Sequence, residues 1–143
     1  MSISSAQQTL KQVFGYSEFR TGQEDVINSA LNRTDSLILM PTGGGKSLCY
    51  QIPALMTNGV TIVISPLISL MKDQVDGLKA NGVNAAYINS TLHRGEIFNI
   101  LNQIQNGEIK LLYVAPERLL RPEFIERLQQ LPLALIAVDE AHC

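Results

Sequence analysis

From about residue 36 onward, short runs that are almost wholly apolar alternate with longer segments of helical character. The runs are "SLILM" (36–40), "VTIVIS" (60–65), "NAAYIN" (84–89), "KLLYVA" (110–115) and "LALIAVD" (133–139). Runs of this length, nearly continuous in apolar residues, predict strands buried on both faces, as in a parallel sheet. The intervening segments predict helices over 46–56, 67–80, 92–105 and 122–130. Gly82 and Gly107 stand just past two of them, where a helix can end in the left-handed conformation. Two further helices, over 6–14 and 23–32, precede the first strand. Strand–helix alternation with short connections predicts a doubly wound α/β fold with a mainly parallel sheet. No repeat, low-complexity run or linker divides the chain.

Composition narrows this little. A length of 143 residues suits about one domain, and 45% hydrophobic with 17% charged residues is globular in character. A net charge of −2 offers no basic face, although a local groove can be basic on an acidic protein. Two cysteines, Cys49 and Cys143, are too few for a four-thiolate zinc site and suggest reduced thiols rather than a disulfide scaffold. The start, "MSISSAQQTLKQ", carries no apolar run of signal-peptide length, and no stretch approaches the ~20 apolar residues of a membrane span. A cytosolic setting without membrane contact is expected.

Chemistry enters with "MPTGGGKS" (40–47), directly after the first strand. Glycines at 43, 44 and 45 let backbone N–H groups converge on phosphate oxygens, and the helix that follows adds the positive end of its dipole. In this pattern Lys46 reaches the β and γ phosphates and the Ser47 hydroxyl ligates Mg²⁺. The loop spans Met40, Pro41, Thr42, Gly43, Gly44, Gly45, Lys46 and Ser47, with Met40 where the general pattern has Gly. At the far end, "LALIAVDEAHC" delivers Asp139 and Glu140 where α/β sheets bind ligands. Asp139 suits the Mg²⁺ shell, and Glu140 can orient and deprotonate an attacking water. Loop and carboxylates together describe an enzyme hydrolysing ATP or GTP.

Asp139-Glu140-Ala141-His142 spells DEAH, and in this the chain resembles the superfamily-two helicases. "FGYSEFRTGQ" (14–23), "SPLISLMKDQ" (65–74), "YVAPERL" (113–119) and "DEAHC" resemble, in order, segments of the RecQ family of DNA helicases. The resemblance covers nearly the whole chain, from 14 to 143. It implies a RecA-like P-loop fold and an ATP-dependent, 3′-to-5′ DNA helicase acting in recombination and repair in the bacterial cytosol. By the same resemblance Tyr16 stacks on adenine while Arg20 and Gln23 bond its edge; family members usually carry Pro where this chain has Thr21. Ser65, Ser69, Lys72 and Arg118 are expected at the strand of DNA, single-stranded or partly duplex, through contacts that position without reading sequence. His142 resembles the residue that couples the ATP state to DNA. Read singly, Tyr16 and Phe14 suit a core, Lys72 a solvated helix face, and His93 and Cys49 purely structural places.

Two rival readings remain open on these residues. One is an RNA helicase or remodelling ATPase sharing DEAH, against which the adenine-type segment at 14–23 weighs. The other is a module that binds nucleotide or a partner and hydrolyses nothing, against which intact Lys46, Ser47, Asp139 and Glu140 weigh. Measured against the family, the chain is expected to be the N-terminal part of a first helicase domain, 1–143, with 1–35 as its leading helices and adenine segment. The resemblance places a second RecA-like domain with an arginine finger, and a zinc-binding region, outside it. In that fold a further strand inserts between the first and the DEAH strands. The expectation is therefore a sheet with a gap in its middle, poor solubility and no unwinding by this piece alone.

Overall fold

The computed structural model describes residues 3–16, 37–40, 48–65, 68–89 and 92–139. Helix α1 (Ile3–Thr9) runs into a π-helical turn, Leu10–Phe14, closed by Gly15 at φ 78°. Strand β1 is Leu37–Met40 and α2 is Leu48–Met56. There follow β2 (Val60–Ile64), α3 (Ile68–Ala80), β3 (Ala85–Ile88) and α4 (Arg94–Gln105). The described chain closes with β4 (Leu111–Val114), a 3₁₀ turn at Pro116–Leu120, α5 (Pro122–Gln129) and β5 (Leu133–Asp139).

The strands form one five-stranded sheet in the order β1-β5-β2-β4-β3. Every pairing is parallel. Period-two alternation then sorts the side chains onto two faces. Val63, Leu111, Tyr113 and Ala137 pack with Tyr50 and Ala54 of α2 and Met71, Val75 and Leu78 of α3. Val60, Ile62, Leu112 and Val114 pack with Leu101 and Ile104 of α4 and Phe124 and Leu128 of α5. Helices on both faces explain why the strands read as continuous apolar runs. The cover thins over β5, where Ile136 is 37% exposed although its strand lies inside the sheet. α1 docks on α2 through Ala6, Leu10 and Ile52.

Apart from the first helix, which begins at Ile3 and not at residue 6, the expected elements that fall on described residues lie within a residue or two of those observed, and Gly82 and Gly107 have φ of 81° and 77°. α4 starts later than expected because His93 is extended (φ −81°, ψ 160°) and its N–H donates to the Glu96 carboxylate at 3.2 Å. That bond stops the helix at its first turn. The 3₁₀ turn at 116–120 was not foreseen. The helix expected over 23–32 lies outside the described residues.

The expected gap is not observed. β1 and β5 are direct neighbours, with Leu37, Ile38, Leu39 and Met40 opposite Ile136, Ala137, Val138 and Asp139. Unpaired parallel edges leave backbone N–H and C=O groups without partners, and direct pairing satisfies them. Poor solubility therefore has no ground in an open seam between these two strands.

Candidate functional site

Parallel pairing sends the C-terminal ends of the strands to one edge of the sheet. Met40, the last residue of β1, stands opposite Asp139, the last residue of β5. Neighbouring strands are about 4.8 Å apart. The segment that opens the glycine-rich loop and the segment that opens the acidic pair therefore leave the sheet side by side. On the other side of β5, Val138 is in register with Ile64, the residue before Ser65. Ile64 in turn faces Val114, and Val114 faces Ile88. The segments beginning at Pro41, Ser65, Asn89, Ala115 and Glu140 thus all issue from this single edge, the ligand-binding edge of doubly wound sheets.

Of the expected nucleotide residues, Pro41, Thr42, Gly43, Gly44, Gly45, Lys46, Ser47, Glu140 and His142 lie outside the described residues, as do Arg20, Thr21 and Gln23. Met40 and Asp139 are placed by their backbone in β1 and β5. α2 begins at Leu48, directly after Ser47. Tyr16, one residue past Gly15, is 58% exposed, whereas Phe14 packs against the core. Of these two aromatics, Tyr16 is the one whose ring is open to a ligand.

The four residues expected at DNA differ sharply. Ser65 is buried, and its N–H donates to the Val114 carbonyl at 3.1 Å. Ser69 is exposed on the first turn of α3. Lys72 is exposed and its Nζ lies 2.8 Å from Asp76 Oδ2, an i,i+4 pair with side chains 66% and 56% accessible. That bond and the charge of Asp76 raise the pKa of the ammonium above its ordinary value. Arg118 is buried in the 3₁₀ turn and donates through Nη2 to the Asn89 carbonyl at 3.1 Å. Burial first, and then the charge of Arg121, lowers its pKa. An arginine nevertheless stays charged throughout the neutral range. Its first task is structural: it ties the turn after β4 to the residue after β3. His93 caps α4, in keeping with a structural place, and only the backbone of Cys49, within α2, is described.

Sequence reasoning missed a polar cluster inside the layer of α2 and α3. Gln51 Nε2 donates to Gln74 Oε1 and to the Tyr113 hydroxyl, both at 3.1 Å. The Tyr113 hydroxyl donates to Gln74 Oε1 at 3.3 Å and lies 3.2 Å from the Tyr50 hydroxyl. A tyrosine within the apolar strand "LLYV" and a glutamine within "LCYQIPALM" were the available signals.

A parallel sheet covered by helices on both faces, with the glycine-rich segment following its first strand in the sequence and the acidic pair at the end of the adjacent strand, is consistent with a RecA-like helicase fold. The model of the DEAD/DEAH box helicase family matches residues 20–143, and the chain belongs to that family. Among curated proteins it is 57% identical over 142 residues to the ATP-dependent DNA helicase RecQ of Bacillus subtilis, covering 99% of this chain and 24% of that protein. It is 53% identical over 139 residues to the ATP-dependent DNA helicase RecQ of Haemophilus influenzae, covering 97% of this chain and 22% of the other. A probable ATP-dependent DNA helicase, RecS of Bacillus subtilis, is 47% identical over 142 residues, 99% of this chain and 28% of its own. The chain thus spans about a quarter of the length of these relatives.

Proposed function

We propose that the protein carrying this chain is an ATP-dependent DNA helicase of RecQ type, moving 3′ to 5′ on DNA in recombination and repair in the bacterial cytosol. The observation that carries the reading is the register of β1 against β5, Met40 opposite Asp139, which brings the starts of the glycine-rich loop and the acidic pair together. A hydroxyl from Ser47 and a carboxylate from Asp139 form the all-oxygen donor set that a hard divalent cation prefers, so these residues fit Mg²⁺. Bound there, the ion would neutralise charge developing on the phosphates. Lys46 adds a second positive charge at the β and γ phosphates. Glu140, next along from Asp139, orients the attacking water and takes its proton. Tyr16 offers its exposed ring to adenine, with Arg20 and Gln23 at the base edge. Ser65, Ser69, Lys72 and Arg118 lie on or beside the segments issuing from the same sheet edge, where a single strand of DNA can lie across them. His142, two residues past Glu140, is the relay from DNA to the water.

Steady-state ATP hydrolysis by the full-length protein, with and without a single-stranded oligonucleotide, tests this. Single-stranded DNA should stimulate turnover and RNA should do so far less. Lys46→Ala should lower the stimulated rate to background, because it removes the charge held on the phosphates. Turnover by Lys46→Ala at the unmodified rate, or equal stimulation by RNA, would refute the proposal.

A further inference from the structure

Four side chains of the polar cluster have no part in the chemistry above: Tyr50, Gln51, Gln74 and Tyr113. Each stands close in sequence to a segment that does. Tyr50 and Gln51 occupy the first turn of α2, the helix entered from Lys46 and Ser47. Gln74 is on α3, two residues beyond Lys72. Tyr113 is on β4, shortly before Pro116 and Arg118, and its partner in register is Val63 of β2, just before Ser65.

The hydrogen bonds leave little freedom. A phenol has one proton and two acceptor sites. Given to Gln74 Oε1 at 3.3 Å, the Tyr113 proton leaves its oxygen to accept from Gln51 Nε2 at 3.1 Å and from the Tyr50 hydroxyl at 3.2 Å. Gln51 Nε2 directs its second hydrogen to Gln74 Oε1 at 3.1 Å. A slide of α2 against α3 would break several bonds at once. Leucine and phenylalanine in these places would pack the same layer without desolvating an amide or a hydroxyl. What a satisfied polar cluster adds over such packing is one permitted alignment of the elements that carry it.

We infer that Tyr50, Gln51, Gln74 and Tyr113 are positioning residues that hold the helix behind the phosphate loop in register with the two polynucleotide-facing segments, so that DNA bound at those segments accelerates ATP hydrolysis. The inference rests on the function proposed above and adds the path by which the two sites communicate.

The test removes one oxygen. Tyr113→Phe keeps the ring that meets Tyr50 edge to face, with centroids 6.2 Å apart, so packing persists. In the full-length protein, hydrolysis without DNA should stay within about twofold of the unmodified rate, while maximal stimulation by a single-stranded oligonucleotide falls about fivefold or more, as coupling between sites commonly amounts to. Oligonucleotide affinity, read by fluorescence anisotropy, should hold. Gln74→Glu, which keeps both acceptor functions, should retain most of the stimulation that Gln74→Leu loses. Unchanged stimulation in Tyr113→Phe would overturn the inference, as would a parallel fall of basal and stimulated rates, the mark of a merely structural role. If the unmodified protein is not stimulated by any nucleic acid, the proposed function itself fails and the inference falls with it. Stimulation of the unmodified protein with an indifferent Tyr113→Phe sinks the inference alone.

Discussion

Lys72 is a cation whose charge is already answered by Asp76, 2.8 Å away on the next turn of α3. A DNA phosphate must compete with that carboxylate. Exposed, solvent-screened pairs of this kind are weak, so the competition can be won, but it weakens the contact. Asp76→Asn frees the ammonium and removes a negative charge from the same helix face. It should tighten binding of single-stranded DNA by a few-fold at low salt. It should also steepen the dependence of log affinity on log salt by about 0.7, the increment for one more phosphate contact. Lys72→Ala should act in the opposite sense. Anisotropy titrations of the full-length protein at several salt concentrations read both quantities, and no change in either variant would remove Lys72 from the interface. Arg118 is a different kind of residue. Buried and bonded to the Asn89 carbonyl, it shapes the turn through which any DNA contact at this place would be made.

At the scale of elements, Gly59 shows how closely the strands are brought together. Its φ is 98°, and a Cβ there would lie 2.3 Å from the Pro132 carbonyl oxygen, which accepts the Val60 N–H at 2.8 Å. Gly59→Ala combines an unfavourable backbone region with a backbone clash where β2 and β5 begin to pair. It should cost about 2–4 kcal/mol, toward the upper range of single substitutions. Denaturant unfolding measures this, and a loss under ~0.5 kcal/mol would show that the turn gives way freely. The strands and most helices were legible because burial on both faces imposes apolar runs such as "VTIVIS" and "KLLYVA", and because Gly82 and Gly107 close helices through backbone freedom alone. The pairing of β1 with β5 was not legible, since strand order is decided by tertiary contacts that no local run encodes. Nor was the cluster around Tyr113, whose partners Gln51 and Gln74 lie 62 and 39 residues away. Of the candidate site, residue types and their order along the chain were readable. The convergence of the segments after Met40, Ile64, Val114 and Asp139 on one edge required the sheet register.

For the molecule as a whole, the proposed function asks a chain of net charge −2 to meet a polyanion, and that convergence offers a place for it. In that proposal, binding depends on the few donors gathered at one sheet edge and not on the overall charge. In the proposed function this edge forms one side of the catalytic cleft, with the phosphate loop and the two carboxylates. The proposed chemistry further draws on an arginine reaching the transferred phosphate from across that cleft, whose absence lowers turnover by about 10³–10⁵. Assayed by itself, the 143-residue chain should therefore hydrolyse ATP at least about 10³-fold more slowly than the full-length protein with single-stranded DNA present, and DNA should leave its rate unchanged. Steady-state ATPase measurements on both proteins, with Lys46→Ala as the background control in each, make the comparison. Robust DNA-stimulated hydrolysis by the short chain would mean that every essential group lies within these residues, and that the arginine from across the cleft is dispensable.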